Sequence, residues 1–291
     1  MPVGRAEAPA ASFTTNPTGQ LLGPGNDAVT PPLLEAAGLS RRYPVRSHPL
    51  GPVTGWIDAV REVDLALSAG ETVGLVGESG CGKSTLARIL AGLIPPSAGT
   101  VRFEGTALFQ LDPAGRRRFR RTVQIIFQDP FTTLDPLMTI GQSVAEPLAI
   151  HRIGNRRERG ERTRQLLGEV GLPPEWSGRF PDTLSGGQRQ RVGIARALAL
   201  NPRLLICDEA VSALDLSVQA QILALLNDLR EKRGLALLFI SHDLGVVGAI
   251  ADRIGVMAEG RIVECQPNPA LFEAPRHPAA RRLVELALEG A

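Results

Sequence analysis

The stretch GESGCGKST at residues 77–85 follows a short apolar and β-branched run, TVGLV (72–76), and precedes LARILAGL (86–93). The large apolar residues of LARILAGL recur at helical spacing until Pro95 and Pro96 stop the pattern. The sequence therefore predicts a buried strand, a glycine-rich loop and a helix in succession. The loop, called the phosphate loop below, matches G-x-x-x-x-G-K-[ST], whose backbone N–H groups surround phosphate oxygens at the start of a helix. We expect it to bind the phosphates of a nucleotide.

Each fixed position of the phosphate loop has a physical role in this interpretation. Gly77, Gly80 and Gly82 let the backbone turn tightly enough for its N–H groups to face phosphate oxygens. Lys83 supplies a positive charge to the terminal phosphates, and the Ser84 hydroxyl supplies a ligand to Mg²⁺. The alternative is an ordinary turn between a strand and a helix. The predicted nucleotide-binding residues of the loop are Gly77, Glu78, Ser79, Gly80, Cys81, Gly82, Lys83, Ser84 and Thr85.

Three further apolar runs predict strands of the same sheet: VQIIF (123–127), LLIC (204–207) and ALLFI (236–240). Each run is short and is followed by a polar turn, which is typical of a parallel sheet that is buried on both faces. Strand signals vanish between about 129 and 190, where helical patterns predict an inserted helical subdomain. The sequence therefore predicts an α/β fold.

The first part of the chain contains two regions of different composition. Residues 1–32 carry Pro or Gly at ten positions and hardly any large apolar residue, so we expect a disordered leader. A strand-like pattern begins at Leu33 and resumes at 59–67. Between these two stretches, YPVRSHPLGPVTGW (43–56) is rich in Pro and Gly and predicts a loop.

The bulk composition argues against several classes of protein. At 291 residues, with 43% hydrophobic residues, the chain can form one large or two modest globular domains. A net charge of +2 gives no long-range field for nucleic acid, and we expect RRRFRR (116–121) to be a solvated surface segment. Cys81, Cys207 and Cys265 lack metal-ligand spacing, which favours the reducing cytoplasm. No apolar run approaches the roughly 18 residues of a membrane span.

RLLICDEA (203–210) places two carboxylates, Asp208 and Glu209, at the end of an apolar strand. Carboxylates are costly there unless a cation is near, and beside a phosphate loop that cation is Mg²⁺. We expect Asp208 to hold Mg²⁺ through its water shell and Glu209 to take a proton from an attacking water. A strand that merely ends in an acidic turn is the alternative.

A second candidate anion site lies at LSGGQ (184–188), called the Gly-Gly loop below. Ser185, Gly186 and Gly187 precede RQRVGIARALAL (189–200), whose apolar residues recur at helical spacing, so the loop lies at a helix N-terminus. A plain Ser cap of that helix is the alternative, and it is compatible with anion binding. Since one phosphate loop accommodates one triphosphate, the spare site is explained if it closes over the nucleotide of another subunit.

The motifs GESGCGKST, FQD (127–129), LSGGQ, LLICDE, SALD (212–215) and SHD (241–243), in this order, resemble the ATP-binding subunits of ABC transporters. The resemblance covers residues 33–265. It implies a P-loop ABC ATPase domain with a RecA-like sheet core, an antiparallel β subdomain and an inserted helical subdomain, followed by a C-terminal extension at 266–291. In this family two domains enclose two ATP molecules, each between one subunit's phosphate loop and the other's Gly-Gly loop.

The resemblance also implies roles for single residues. Gln128 would touch Mg²⁺ and the attacking water and link the site to the membrane partner, and His242 would contact the γ-phosphate. Asp215 would lie in a loop that crosses the dimer interface. Tyr43 resembles the aromatic residue that stacks on adenine, with Trp56 as a competitor. The residues expected to bind the partner's ATP are Ser185, Gly186, Gly187 and Gln188; the expected catalytic residues are Lys83, Gln128, Glu209 and His242; the expected Mg²⁺ ligands are Ser84, Gln128 and Asp208.

Longer sequence stretches around the motifs resemble those of the oligopeptide and dipeptide importer ATPases, with nickel importers as close relatives. These stretches are RRYPV (41–45), residues 123–148 and 207–223, and EAPRHPAARRLVELAL (273–288). The chain has Ala279 and Ala280 where that family often has Tyr-Thr, and Asp182 and Thr183 where His-Glu is usual. Some members carry a C-terminal cysteine cluster for an iron–sulfur centre. Because Cys265 is the only cysteine beyond residue 207, this chain cannot build one.

These resemblances imply the ATP-hydrolysing motor subunit of a membrane ABC importer for peptides, at the cytoplasmic face of the membrane. The implied partners are two integral membrane permease subunits, a second ABC ATPase subunit, identical or homologous, and an extracytoplasmic solute-binding protein, without nucleic acid. The implied cofactors are ATP and Mg²⁺. The alternatives are an importer of nickel or another small solute and, less favoured, a soluble ABC ATPase that acts on DNA or ribosomes.

Overall fold

The computed structural model describes residues 31–48, 51–128 and 133–289. The chain divides into two units, Met1–Pro31 and Pro32–Ala291. The predicted disordered leader, apart from its last two residues, lies outside the described residues. The fold described below is that of the second unit.

Strands and helices alternate along most of the described chain. The strands are β1 (Leu34–Arg46), β2 (Val53–Leu67), β3 (Thr72–Val76), β4 (Ala98–Phe103), β5 (Thr106–Ala107), β6 (Val123–Ile126), β7 (Leu204–Asp208), β8 (Ala236–Ile240), β9 (Arg253–Ala258) and β10 (Arg261–Pro267). The helices are α1 (Lys83–Leu90), α2 (Pro113–Thr122), α3 (Ile140–Ile150), α4 (Arg156–Glu169), α5 (Gly186–Leu198), α6 (Leu216–Arg233), α7 (Leu244–Gly248), α8 (Ala270–Glu273) and α9 (Pro278–Glu289). Within the described ranges, no helix is both long enough and apolar enough to cross a membrane.

Six strands of the described residues form the central sheet, in the order β10-β9-β3-β8-β7-β6. All are parallel except β10, which runs antiparallel to β9 at the edge. β3, β7 and β8 are buried along their whole length, which is why their sequences are continuous apolar runs. Because the carboxyl ends of parallel strands meet at one edge, the residues that follow Val76, Ile126, Asp208 and Ile240 come together there. The prediction of an α/β fold is confirmed.

The second sheet is antiparallel, with the order β2-β1-β4-β5. The prediction of a loop over the whole of 43–56 is wrong, because the pairing of β1 with β2 continues inside this segment, with Pro44 opposite Trp56. Residues 49–50, near the tip of this hairpin, lie outside the described residues. β4 pairs with β1 only as far as Ser40, so β1 is an edge strand at Pro44, where a missing backbone N–H is tolerated.

Helices α3 and α4 and the start of α5 fall within the predicted helical subdomain at 129–190. Thr139 caps α3 and Asn155 caps α4, each in a reciprocal capping box with the third residue of its helix. α3 packs against both α4 and α5. The part of this segment that the structure describes contains no strand, and the boundaries of the subdomain stay a prediction.

Apolar side chains pack against both faces of the central sheet in two clusters. In β8, Leu237 and Phe239 join the cluster on the side of α5 and α6. Leu238 and Ile240 join the cluster that contains α1 and the antiparallel sheet. This alternation follows from the two-residue period of a strand. Because both faces are covered, the edge formed by the carboxyl ends of the strands is a fixed platform for the side chains that follow.

Candidate active site

The phosphate loop connects β3 to α1, and close backbone contacts require its glycines. Gly82, directly before α1, has a φ of +111°, and a Cβ there would lie 2.0 Å from the Ala59 carbonyl oxygen. A Cβ on Gly77 would lie 2.2 Å from the Met257 carbonyl oxygen. The loop is therefore enclosed between β2 and β9, with the positive end of α1 at its carboxyl-terminal side.

Lys83 is buried within the phosphate loop, with 4% of its surface exposed. Its Nζ donates hydrogen bonds to the carbonyl oxygens of Gly77, at 2.7 Å, and Glu78, at 2.9 Å. These partners are neutral, and a buried ammonium group is costly unless negative charge approaches it. The loop therefore fits the phosphates of a nucleotide.

Ser84, in the first turn of α1, meets Asp208, the last residue of β7. The Ser84 hydroxyl donates a hydrogen bond to Asp208 Oδ1 at 2.9 Å. Asp208 is 3% exposed, and burial raises the pKa of its carboxyl although the hydrogen bond from Ser84 opposes that effect. A cation would relieve the cost of this buried charge, and carboxylate and hydroxyl oxygens are ligands that suit Mg²⁺. The two side chains therefore fit the predicted Mg²⁺ site.

Glu209 directly follows β7 with a φ of +50°, a left-handed conformation that is uncommon for a residue with a side chain. Its backbone N–H donates to the Ile240 carbonyl oxygen at 2.9 Å. Its own carbonyl oxygen accepts hydrogen bonds from the backbone N–H and the hydroxyl of Ser212. Strain of this kind persists only where the surrounding structure fixes it, and it clusters at functional sites.

Gln128 and His242 reach the Glu209 carboxylate from the strands on either side of β7. Gln128, beyond β6, donates a hydrogen bond from Nε2 to Glu209 Oε2 at 2.8 Å. His242, beyond β8, has its Nδ1 3.8 Å from the same oxygen, which is too long for a hydrogen bond. The structure therefore brings three of the four predicted catalytic residues together. Asp129, which ends the FQD motif, lies outside the described residues.

A cleft of about 460 Å³ adjoins this group and is lined by Ser84, Arg88, Phe127, Gln128, Thr133, Arg196 and Asp208. Arg88 was not among the predicted site residues. It lies in the last turn of α1, and its charge opposes the effect of burial on the pKa of Asp208. The sequence did contain a signal, because Arg88 stands four positions after Ser84 and therefore shares its helix face.

The Gly-Gly loop forms the N-terminus of α5, and its side chains build the helix cap. Ser185 Oγ accepts a hydrogen bond from the Gln188 backbone N–H at 3.3 Å, and Gln188 Oε1 accepts one from the Ser185 N–H at 2.9 Å. A Cβ on Gly187 would lie 2.4 Å from Cγ1 of Val218 in α6. The capping alternative is therefore present in the structure. Contact of the loop with the ATP of another subunit stays a prediction.

Asp215 is the N-cap residue of α6 and directly follows Leu214, which lies next to Gly186 of the Gly-Gly loop. Its Oδ1 accepts hydrogen bonds from the Val218 N–H at 2.9 Å and the Ser217 hydroxyl at 3.1 Å, and these bonds hold the pKa of the carboxyl below its ordinary value. A Cβ on Gly186 would lie 3.4 Å from Cδ2 of Leu214, the residue before Asp215. The role of Asp215 at a dimer interface stays a prediction.

Tyr43 and Trp56 lie on opposite faces of the β1–β2 hairpin, because Trp56 pairs with Pro44, the neighbour of Tyr43. The guanidinium of Arg41 lies 4.8 Å from the centroid of the Tyr43 ring, and that of Arg42 lies 5.2 Å from the Trp56 ring. Each aromatic ring therefore stacks with an arginine. Stacking of adenine on Tyr43 stays a prediction, with Trp56 as the alternative.

Comparison with known proteins places this site in a family. The family model described as "ABC transporter" matches residues 60–212. The glutathione import ATP-binding protein GsiA of Pectobacterium atrosepticum is 50% identical over 253 residues, which cover 87% of this chain and 41% of that protein. The probable peptide ABC transporter ATP-binding protein y4tS of Sinorhizobium fredii is 50% identical over 255 residues, which cover 88% of this chain and 72% of that protein. The chain thus spans less than half of the length of GsiA.

Solved structures agree with this assignment. The ATP-binding cassette MJ0796, in a dimeric post-hydrolysis state bound to ADP and phosphate, is 30% identical with a TM-score of 0.71, over 80% of this chain and 98% of that one. The cbiO1 protein of Clostridium perfringens, part of the transporter complex cbiONQ, is 27% identical with a TM-score of 0.70, over 89% of this chain and 96% of that one. The family model covers more than half of the chain, and y4tS is 50% identical to the chain, so the predicted family is confirmed. The chain belongs to the ABC transporter family, in which it is an ATP-binding cassette.

Proposed function

We propose that the chain is the ATP-hydrolysing motor subunit of a membrane importer for peptides. The observation that carries this proposal is the meeting of Gln128, Glu209 and His242 at the carboxyl ends of three adjacent strands, beside the Ser84–Asp208 pair. The names of the relatives GsiA and y4tS, which refer to glutathione import and peptide transport, support peptides as the solute class.

Binding of ATP would use the phosphate loop and the three predicted Mg²⁺ ligands, of which Gln128 also contacts Glu209. The Lys83 ammonium, now held by neutral carbonyl oxygens, would turn to the terminal phosphates. Ser84 and Asp208 would hold Mg²⁺, which, when bound, neutralises negative charge on the phosphate oxygens. Tyr43 would stack on the adenine ring.

Hydrolysis would use Glu209 as the general base. Its carboxylate takes a proton from the water that attacks the γ-phosphorus; the new P–O bond forms as the bond to the β-phosphate oxygen breaks, and ADP and phosphate leave. Gln128 already donates to Glu209 Oε2 and so fixes the orientation of the base. His242, 3.8 Å from the same oxygen, would donate a hydrogen bond to the γ-phosphate.

A second ATPase subunit, identical or homologous, would complete each site. The Gly-Gly loop at the start of α5 offers backbone N–H groups and the positive end of a helix, which favour an anion. In the proposed dimer this anion is the terminal phosphate of the ATP held by the other subunit's phosphate loop. Asp215 would lie beside it at the interface.

The permease is proposed to dock in a groove of about 560 Å³ between α2, β6, α3 and α5. The groove combines apolar walls with the basic side chains of Arg116 and Arg120, which suit a helix that carries acidic residues. It shares Phe127, Thr133 and Arg196 with the cleft beside Asp208, so a partner in the groove would contact the walls of the ATP site. Two ATPase subunits would thus engage two integral membrane permease subunits at the cytoplasmic face, with an extracytoplasmic solute-binding protein on the other side.

The test is to purify the tagged chain from membranes of its own cells and to identify the proteins that accompany it. We expect two integral membrane subunits, and after reconstitution into vesicles with the binding protein, ATP-dependent uptake of labelled peptides. Uptake of nickel in place of peptides would establish the small-solute alternative. Recovery with DNA or ribosomes and without a permease would establish the soluble alternative.

A further inference from the structure

Helix α7 directly follows the segment that carries His242, and it lies very close to the central sheet. A Cβ on Gly74 of β3 would lie 2.1 Å from Cγ1 of Val247 and 3.0 Å from Cβ of Ala251. A helix of five residues has little stability of its own, because helix nucleation is unfavourable. Its position, and with it the direction of the preceding His242 segment, is therefore set by the elements that pack on it.

The other side of α7 is held by residues that follow β10. Asn268 Nδ2 donates hydrogen bonds to the carbonyl oxygens of Gly248, at 2.8 Å, and Ala251, at 2.9 Å. Gly248 is the last residue of the helix, so its carbonyl group lacks a partner within the helix, and Ala251 lies three residues further along the chain. The Phe272 ring covers the last residue of α7 so closely that a Cβ on Gly248 would lie 2.7 Å from Cζ of that ring.

The residues after Asn268 are themselves fixed to the sheet by Glu264 in β10. Its carboxylate accepts hydrogen bonds from the backbone N–H groups of Arg276, at 2.9 Å, and His277, at 2.7 Å. Burial alone would raise the pKa of this carboxyl, but the N–H donors outweigh burial and lower it. Beyond this turn, Ala280 and Val284 of α9 are buried in the core cluster that also contains Val247 of α7. We call residues 268–289 the C-terminal strap.

The C-terminal strap also touches the phosphate loop. Arg282 Nη1 in α9 lies 3.4 Å from Glu78 Oε1. Both side chains are well exposed, so this ion pair contributes little stability. It establishes that α9 lies beside the loop, and the strap therefore contacts both the loop that would bind the phosphates and the helix that follows His242.

We propose that the C-terminal strap positions His242 for its contact with the γ-phosphate, and that Asn268 and Phe272 are the positioning residues. The inference rests on the proposed function, in which His242 contacts that phosphate. Neither residue is expected to touch ATP. Their effect passes through α7, which is held between β3 on one side and the strap on the other.

The first test compares Asn268→Ala and Phe272→Leu in the full-length chain with Leu286→Ala, a control on the exposed side of α9, where Leu286 is 57% exposed. We expect kcat of ATP hydrolysis to fall roughly tenfold or more in the first two variants, because small displacements of a catalytic group are costly. KM for ATP should stay within about twofold, since the phosphate loop is intact. The control should match the wild type.

Unchanged kcat in both Asn268→Ala and Phe272→Leu would overturn the proposal. Thermal unfolding checks the fold, and Phe272→Leu carries the test if Asn268→Ala does not fold.

The second test asks whether the strap acts through His242. In the double variant His242→Ala/Asn268→Ala, kcat should equal that of His242→Ala alone, because the group that Asn268 positions is gone. Losses that multiply would overturn the inference and leave Asn268 with a general structural role. If His242→Ala alone retained full activity, the proposed role of His242 would fail instead, so the two failures are distinguishable. The chain has four histidines, and the imidazole NMR signal that disappears in His242→Ala should shift in Asn268→Ala.

Discussion

Glu209 combines a left-handed backbone conformation with a carboxylate that accepts a hydrogen bond from Gln128. The substitution Glu209→Gln keeps the size of the side chain and removes the proton acceptor. We expect hydrolysis to fall by about 10²- to 10⁴-fold, the usual contribution of a general base. Affinity for ATP should change little, because the phosphate loop is untouched. Phosphate release and equilibrium binding of a fluorescent ATP analogue measure the two quantities.

Glu62 provides a matched control for this substitution. It is also a glutamate with positive φ, at +47°, and its side chain is 69% exposed and pairs with Arg261. Glu62→Gln should hydrolyse ATP at the rate of the wild type. Hydrolysis by Glu209→Gln at an undiminished rate would show that Glu209 is not the base.

Asp208 predicts a pH dependence of stability in the absence of nucleotide. Burial raises the pKa of its carboxyl above the ordinary value of 3.8, so the folded state binds this proton more tightly than the unfolded state. The group therefore costs stability as pH rises from that value through the folded pKa, and the full cost remains at higher pH. Asp208→Asn should raise the thermal midpoint of the nucleotide-free chain at pH 7, with a difference that narrows as pH falls toward 3.8.

The same variant should lose the extra stabilisation that Mg²⁺ adds to ATP, because a neutral amide is a weaker ligand. Thermal scans with and without MgATP across a pH series test both statements. A lower midpoint for Asp208→Asn at pH 7 would mean that the carboxylate stabilises the nucleotide-free fold.

At this scale the motifs predicted which residues form the site, and the structure supplies their contacts. The phosphate loop could be identified from sequence because its geometry is local. The hydrogen bond from Ser84 to Asp208 joins residues 124 positions apart and depends on the order of the strands. Arg88 was missed for the same reason: its face of α1 could be predicted, but the carboxylate of Asp208 lies at the end of β7, far away in the sequence.

Helices α5 and α6 meet at Gly187, where a methyl group would lie 2.4 Å from Cγ1 of Val218. Gly187→Ala should therefore destabilise the fold by about 1–3 kcal/mol through overpacking. This loss outweighs the roughly 1 kcal/mol by which Ala is favoured over Gly in a helix. Gly186→Ala is the matched control, since its Cβ would make an ordinary contact at 3.4 Å with Leu214. Urea unfolding compares the two. Equal stability would mean that Val218 moves aside without cost.

The elements that were predicted correctly are those whose sequence signal does not depend on a partner. β3, β7 and β8 are fully buried, so each is a short apolar run that can be recognised alone. The β1–β2 hairpin was cut short in the prediction because Pro and Gly at 43–56 suggested a loop, whereas the pairing of two strands decides where they end. The contacts of the C-terminal strap with α7 have no local signal, because an asparagine side chain satisfies carbonyl groups 17 and 20 positions away.

At the scale of the whole molecule, the proposed dimer makes a prediction about mixtures of variants. In the proposed two-fold dimer each ATP would lie between one subunit's phosphate loop and the other's Gly-Gly loop. Lys83→Ala removes the charge of the first half-site, and Ser185→Arg blocks the second with a bulky side chain. Each variant alone should be inactive, because every site in its dimers contains one damaged half. Ser185→Arg should still bind ATP as a monomer.

Mixing the two variants tests the assembly directly. A dimer of one Lys83→Ala chain and one Ser185→Arg chain has one site with both halves damaged and one site with both halves intact. With random pairing in an equal mixture, half of the dimers are mixed, so about one quarter of the wild-type rate should return if the sites act independently. Phosphate release from the mixture, compared with each variant alone, measures this recovery. If mixed dimers form, as detected with two affinity tags, and no activity returns, the phosphate loop and the Gly-Gly loop do not form a site between subunits.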